Sequence, residues 1–135
     1  MDQVRADDGA SIRVHSTGSG PGVVVVHGGG VTIDAYAGLA QRLADRFTVH
    51  RYNRRGRADA APRTEPYSVE EDVADLAAVL GHTGARHVIG HSSGGFIALE
   101  GAVRLPIDRL ALRRGRQHRR RLPHPLARHR ASGRP

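Results

Sequence analysis

The pentapeptide Gly90-His91-Ser92-Ser93-Gly94 has the clearest potential for chemistry in this sequence, because it matches the pattern G-x-S-x-G. A short apolar run precedes it and a helical pattern follows it, so Ser92 is predicted to lie on a tight strand-to-helix turn. Such a turn strains the backbone of the serine and lifts its hydroxyl clear of the sheet. Gly90 and Gly94 are needed because the chain passes close to itself there. The pattern therefore predicts Ser92 as a nucleophile for acyl transfer.

A second glycine-rich segment, His27-Gly28-Gly29-Gly30, directly follows the apolar run Val23–Val26. Glycines allow backbone N–H groups to approach a substrate oxygen closely. We therefore expect this segment to supply one half of an oxyanion hole, with Gly29 as the donor and Gly30 as the alternative. The N–H of Ser93, at the start of the helix after the turn, is predicted to supply the other half.

Alternating strands and helices must position these two segments. The patterns predict a hairpin of strands 4–6 and 11–17, further strands at 23–26, 47–53 and 87–89, and helices at 34–46, 67–80 and 96–105. In the helix at 67–80, Ser68 is expected to be the N-cap and Glu71 to complete a capping box. This order predicts an α/β fold with right-handed crossovers, in which helices cover both faces of a mostly parallel sheet.

Residues 1–112 resemble the N-terminal half of an α/β-hydrolase, with a sheet that ends near the sixth strand. Four segments carry the resemblance: the oxyanion loop at 25–30, the segment after the fourth strand at 50–60, the nucleophile elbow at 90–95, and the following helix end and sixth-strand start at 104–112. Asn53, Ala58 and Ala60 replace the Asp, Gly and Ser that the family commonly has in the second of these segments. The resemblance implies a serine hydrolase that cleaves an ester-like bond of a small molecule without a cofactor.

The sequence contains no recognisable acid and histidine to complete a catalytic triad with Ser92. The family order is Ser, then Asp or Glu, then His. The only acids after Ser92 are Glu100 and Asp108, and both are expected away from the family's acid position. Three histidines follow among arginines, at His118, His124 and His129. We expect this chain to be inactive on its own, with His91 and His27 in packing and structural roles.

Arginine is distributed very unevenly along the 135 residues, which contain 21 Arg, no Lys and 13 acids. Residues 109–135 hold ten of the arginines and no acid, and periodicity is lost from about residue 113. We therefore expect a disordered arginine-rich tail at 113–135. Our hypothesis is an out-of-frame reading that replaced the second half of a hydrolase, so that the chain is truncated. The alternative is a non-catalytic remnant or a tail that binds nucleic acid or anionic surfaces without specificity.

Several classes of protein are excluded or disfavoured by composition. The absence of cysteine rules out disulfides, a cysteine nucleophile and a Cys-ligated zinc site. The histidines show no metal-like spacing with carboxylates, so no metal is expected. No apolar run is long enough to span a membrane and no secretory signal is recognised, so we expect a cytoplasmic protein that makes no membrane contact.

The expected end of the sheet also predicts an exposed edge. Because Leu110 to Leu112 offer only a stub of a sixth strand, the strand at 86–90 is expected to lie at the edge and to permit self-association. One face of the helix at 96–105 is expected to lack a packing partner.

Overall fold

The structure is a computed structural model that describes residues 1–115. Its strands are β1 (Asp2–Arg5), β2 (Ser11–Gly18), β3 (Gly22–Val26), β4 (Thr48–Tyr52), β5 (His87–His91) and β6 (Arg109–Arg113). Its α-helices are α1 (Ala37–Leu43), which follows a 3-10 turn at Ile33–Tyr36, α2 (Val69–Thr83) and α3 (Ser93–Arg104). The predicted alternation of strands and helices is confirmed.

The six strands form one mixed sheet in the order β1-β2-β4-β3-β5-β6. The pairs β1–β2 and β2–β4 are antiparallel, whereas β4, β3, β5 and β6 run parallel to one another. The predicted N-terminal hairpin and the mostly parallel sheet are therefore confirmed. The carboxyl ends of β3 and β5 are neighbours, which brings the glycine-rich segment after β3 next to the turn after β5.

The four valines of β3 explain why this strand has no polar residue. Val24 and Val26 face the core beneath α2 and α3, while Val23 and Val25 face the smaller core beneath α1. All four are at most 5 % exposed. A central parallel strand is covered on both faces, so its sequence is continuously apolar instead of alternating.

The start of α2 differs in one respect from the prediction. Ser68 caps the helix as expected, and its hydroxyl accepts the N–H of Glu70 at 3.2 Å. The predicted capping box is wrong, because the carboxylate of Glu71 accepts the N–H of Thr64 at 3.3 Å instead of returning to Ser68. Glu71 also lies 3.6 Å from the guanidinium of Arg55, so a tertiary ion pair competes for the side chain that a local cap would use.

The predicted edge of the sheet is also wrong. β6 pairs with the whole of β5, from His87 opposite Arg109 to His91 opposite Arg113, so β5 is an interior strand and β6 is the edge. Backbone hydrogen bonds form this ladder whatever the side chains are, and Leu110 also packs against the core. The strand extends one residue into the segment expected to be disordered. The remainder of that prediction, at 116–135, lies outside the described residues, and self-association stays a prediction.

The outer face of α3 carries apolar side chains that nothing among residues 1–115 covers. Phe96, Leu99 and Val103 are 55 %, 48 % and 84 % exposed, as expected for a helix face without a packing partner. In the same part of the chain, no helix has the length and apolar character needed to cross a membrane.

Candidate active site

Ser92 lies on the turn that joins β5 to α3. Its backbone has φ 55° and ψ −123°, and Ala58 is the other non-glycine residue with positive φ among residues 1–115. An L-residue rarely adopts this conformation without support from its surroundings. The N–H of Ser92 donates to the carbonyl of Arg113 at 2.9 Å, so β6 helps to fix the turn. The side chain of Ser92 is exposed.

Close approach of the backbone explains the two glycines of the pentapeptide. A Cβ atom added to Gly90 would lie 2.7 Å from the Cα of Gly95. A Cβ atom added to Gly94 would overlap the carbonyl oxygens of Val26 and His27. Both positions require glycine because α3 leaves the turn directly against the ends of β5 and β3.

The glycine loop after β3 lies against this turn. A Cβ on Gly28 would be 3.1 Å from the Cβ of Ser92, and one on Gly29 would be 3.5 Å from the Oγ of Ser93. Within residues 1–115, the N–H groups of Gly29, Gly30 and Ser93 donate to no protein acceptor. The structure thus brings together the serine and the backbone donors that the sequence singled out.

Tyr36 connects the glycine loop to the residue before Ser92. Its hydroxyl accepts the N–H of Gly28 at 2.9 Å and lies 2.6 Å from the Nδ1 of His91. The hydroxyl keeps its own proton for donation, and Nδ1 of His91 accepts it when the ring proton is on Nε2. The two rings pack edge to face with their centroids 5.7 Å apart. The N–H of Gly28 is therefore occupied, and His91 is held by Tyr36.

His27 is a buried structural group at the base of the same loop. Its Nε2 accepts the N–H of Arg54 at 2.8 Å, so the ring proton is on Nδ1 and is donated to the carbonyl of Gly28 at 2.7 Å. Burial lowers the pKa of His27, although its bond to Gly28 opposes the shift. The imidazole is therefore held neutral with both nitrogens engaged.

Two arginines after β4 connect the site to α2, and sequence reasoning did not find them. Arg54 donates to the carbonyl of His27 at 3.0 Å and to the hydroxyl of Ser93 at 3.0 Å, and it lies 3.5 Å from Asp72. Arg55 forms a two-pronged ion pair with Asp75 at 2.8 and 3.0 Å. The sequence signal that could have identified these arginines lies on α2, where the carboxylates of Asp72 and Asp75 fall on the buried face among apolar residues.

The segment at 50–60 departs from the family pattern but keeps an ordered loop. Asn53 accepts the N–H of Ile33 at 3.0 Å and donates to Asp59 at 2.9 Å, so the amide spans two loops. Ala58 has φ 44°, a conformation that favours the glycine usual at this position.

No acid or histidine in the described part of the chain contacts the hydroxyl of Ser92. Asp108 is engaged by Arg86 at 2.7 and 2.9 Å, and Glu100 lies 3.8 Å from Arg104. The three later histidines lie outside the described residues. Gly115 lies directly against the serine, since a Cβ placed on it would be 2.7 Å from Oγ. The described residues also contain no cluster of three His, Cys, Asp or Glu side chains suited to a metal.

The chain belongs to the α/β-hydrolase family. The family's sequence model, "Alpha/beta hydrolase family", matches residues 23–134. The hydrolase YraK of Bacillus subtilis (strain 168) is 40 % identical over 103 residues, which are 73 % of this chain and 38 % of YraK. A pimeloyl-[acyl-carrier protein] methyl ester esterase of Stenotrophomonas maltophilia (strain K279a) is 35 % identical over 95 residues, which are 70 % of this chain and 36 % of the esterase.

Solved structures show the same fold. An α/β hydrolase from Sphaerobacter thermophilus DSM 20745 superposes with a TM-score of 0.76 at 45 % identity, over 82 % of this chain and 44 % of that one. The esterase EaEST from Exiguobacterium antarcticum superposes with a TM-score of 0.74 at 25 % identity, over 82 % and 43 % of the two chains. The chain therefore spans about two fifths of the length of the curated relatives that it matches.

Proposed function

We propose that Ser92 is the nucleophile of a hydrolase that cleaves an ester-like bond of a small molecule. The observation that carries this proposal is the strained turn of Ser92 beside the N–H groups of Gly29 and Ser93, which donate to no acceptor within residues 1–115. The similarity to a methyl ester esterase supports an ester as the substrate. In this proposal residues 1–112, together with Arg113 at the end of β6, form the N-terminal half of the catalytic domain, and the rest of the predicted arginine-rich tail follows that strand.

The reaction is an acyl transfer in two stages. The Oγ of Ser92 forms a bond to the carbonyl carbon, and the C=O electron pair moves onto oxygen. The N–H groups of Gly29 and Ser93, with Gly30 as the alternative, stabilise this oxyanion. The base that accepted the serine proton passes it to the alcohol as the intermediate collapses, which leaves an acyl-serine that water hydrolyses to the free acid and Ser92. Removing one donor from such a site typically slows a reaction by about 10²–10³-fold.

The proposed chemistry needs a base for the serine proton and an acid to orient that base. None is in contact with Ser92 among the described residues. We therefore propose that the chain alone turns over little ester, and that a complete hydrolase of this family carries the missing acid and histidine beyond the region matched here.

The serine proposal is tested by comparing the wild-type chain with Ser92→Ala. The readouts are hydrolysis of an activated ester and covalent labelling by a fluorophosphonate probe, with intact-mass detection of the adduct. Ser19→Ala is the matched control, because Ser19 is an exposed serine on a loop away from the site. We expect labelling that survives Ser19→Ala and disappears in Ser92→Ala. Labelling that persists in Ser92→Ala, or an ester rate above the uncatalysed rate that is equal in all three proteins, would show that Ser92 is not the nucleophile.

A second candidate function is nonspecific binding of nucleic acid or anionic surfaces through the tail. The supporting observation is the ten arginines and the absence of acids at 109–135. Such binding weakens steeply with salt because it releases counterions. Retention on heparin that collapses when 113–135 are deleted, in a protein that no serine probe labels, would favour this candidate over the hydrolase.

A further inference from the structure

A small cavity beside the glycine loop is lined by glycines and arginines alone. Its volume is about 260 Å³, and its lining consists of Gly29, Arg54, Arg55, Gly56, Arg57 and Arg63. We propose that this cavity binds a carboxylate or phosphate group of the substrate. The inference rests on the proposed function, because Gly29 is also the proposed oxyanion donor and places the cavity next to the reacting carbonyl.

Three of the four arginines have carboxylate partners, Arg54 at 3.5 Å from Asp72 and the other two at shorter distances. Arg55 bonds to Asp75 at 2.8 and 3.0 Å and to Asp8 at 2.8 Å. Arg63 bonds to Asp72 at 3.2 Å and donates to the carbonyl of Arg55 at 3.1 Å. Both side chains are held in place and largely neutralised by these carboxylates, and they have few donors left for a ligand.

Arg57 is the side chain best placed to hold an anion. Arg57 is exposed and lines the cavity, and its side chain forms no hydrogen bond or ion pair within residues 1–115. A guanidinium has five N–H donors in a planar arrangement that fits carboxylate and phosphate oxygens. No carboxylate side chain lines the cavity to compete for these donors.

Arg54 gives a second, independent indication of a missing acceptor. Its side chain is 10 % exposed, and its Nε has no hydrogen-bond partner among the described residues. Its separation from Asp72, 3.5 Å, is long for a charge-assisted hydrogen bond. Arg54 also lines the cavity, so its incompletely satisfied guanidinium lies next to any anion that enters.

The glycines make close approach to this wall possible. Gly56 has φ 80°, and it exposes backbone between two arginines without a side chain in the way. Gly29 has no Cβ to separate its N–H from a ligand. A volume of about 260 Å³ is ample for a carboxylate or phosphate with a few waters. No side chain of an apolar residue lines the cavity.

The binding test uses the full chain labelled with ¹⁵N and titrated with inorganic phosphate at constant ionic strength. A residue-resolved readout is needed because the ten arginines at 109–135 also attract anions. We expect saturable shifts of the Gly29 and Gly56 amide resonances. Arg57→Gln should weaken this binding by about five- to ten-fold, the loss expected for one charge-assisted contact at a partly exposed site.

Arg46→Gln is the matched control. Arg46 is also exposed, but it precedes β4 and so lies at the opposite end of the sheet from the cavity. The Arg46→Gln variant should bind phosphate with the wild-type affinity, as measured from the Gly29 and Gly56 amide resonances. Unmoved Gly29 and Gly56 resonances, or the same affinity in the Arg57 and Arg46 variants, would overturn the anion site.

The assignment of the anion to the substrate has its own test. Two activated esters are compared, one with an acyl chain that ends in a carboxylate and one with the same chain ending in a methyl ester. The Ser92-dependent rate is the difference between the wild type and Ser92→Ala, and it should be higher for the ester that ends in a carboxylate. Arg57→Gln should remove this difference between the two esters. If phosphate binds but the neutral ester reacts equally well, the cavity is not a substrate site. If Ser92→Ala changes nothing, the proposed function fails and the phosphate titration alone decides the anion site.

Discussion

Arg54 donates a hydrogen bond from Nη1 to the hydroxyl of Ser93 at 3.0 Å. The same nitrogen donates to the carbonyl of His27, also at 3.0 Å. One guanidinium thus joins the first residue of α3 to the start of the glycine loop, which are the two halves of the proposed oxyanion site. Asp72 on α2 lies behind the guanidinium and balances its charge. The relative position of the two halves therefore depends on a residue that belongs to neither.

Replacing Arg54 with methionine should destabilise the protein strongly. Arg54 is nine-tenths buried, and its loss leaves the carbonyl of His27 and part of the charge of Asp72 without a partner. We expect the free energy of unfolding to fall by about 3 kcal/mol, as is usual when one member of a buried ion pair is removed. Urea unfolding measures this change. Arg46→Gln, which removes the same charge at an exposed position, should stay within about 0.5 kcal/mol of the wild type. Equal losses in the two variants would contradict the structural role of Arg54.

Gly94 and Gly95 are neighbours in α3 that should respond oppositely to alanine. A Cβ on Gly94 would overlap the carbonyl oxygen of Val26, whereas one on Gly95 would make an ordinary 3.5 Å contact with Leu112. We expect Gly94→Ala to lower the free energy of unfolding by about 2–3 kcal/mol through overpacking. Gly95→Ala should be neutral or should stabilise the helix by up to about 1 kcal/mol. Thermal or urea unfolding of the pair makes the comparison, and a tolerated Gly94→Ala would contradict the close approach of α3 to β3.

The stability of the protein should fall as the pH is lowered from 7.5 to 5.5. Burial lowers the pKa of His27 below its ordinary value, so the unfolded chain takes up a proton before the folded one does. Well above about pH 6.5, His27 is neutral in both states and its stabilisation is complete. As the pH falls below this value, each pH unit over which only the unfolded state is protonated lowers the free energy of unfolding by about 1.4 kcal/mol. Burial also lowers the pKa of His50, which contributes in the same direction.

The contribution of His27 is isolated by His27→Gln, in which the side-chain oxygen of Gln replaces Nε2 as the acceptor for Arg54. Urea unfolding across the pH range should give a shallower pH dependence for this variant than for the wild type. His50→Gln reports the other histidine in the same way. A wild-type stability that is flat between pH 7.5 and 5.5 would contradict the buried neutral state of both.

Local patterns were enough to locate the glycine loop after β3 and the turn of Ser92 but not the contacts that hold them. Val23 to Val26 and the pentapeptide at 90–94 are each specified by neighbouring residues, so their strand and turn were predictable. The pairing of Arg55 with Asp75 joins residues 20 positions apart and depends on how α2 packs. Glu71 illustrates the same limit, because its tertiary partners displaced the local cap that its spacing suggested.

The sixth strand was underestimated for a different reason. Arginines at both ends of β6 obscure its strand pattern, yet the open side of β5 offers a full row of backbone partners. Side-chain patterning reports which face of a strand is buried, and β6 is mostly exposed. An edge strand of this kind leaves only a weak signal in its own sequence.

Tyr36→Phe should loosen the glycine loop without changing the shape of the core. The ring of Tyr36 is 8 % exposed, and its hydroxyl is the partner of both the buried N–H of Gly28 and the Nδ1 of His91. Removing the hydroxyl leaves these two groups unpaired, and an unsatisfied buried polar group costs about 1–3 kcal/mol of unfolding free energy. Tyr67→Phe is the matched control. Its ring is 54 % exposed, and Asp72 keeps Arg63 when the tyrosine hydroxyl is lost.

Urea unfolding compares the two tyrosine variants, and hydrogen exchange of the Gly28 amide gives a local readout. We expect exchange at Gly28 to accelerate in Tyr36→Phe and to remain unchanged in Tyr67→Phe. A faster Gly28 amide together with unchanged global stability would still support the bridge, because the effect would then be confined to the loop. An unchanged Gly28 amide in Tyr36→Phe would show that Tyr36 does not hold the loop against the turn of Ser92.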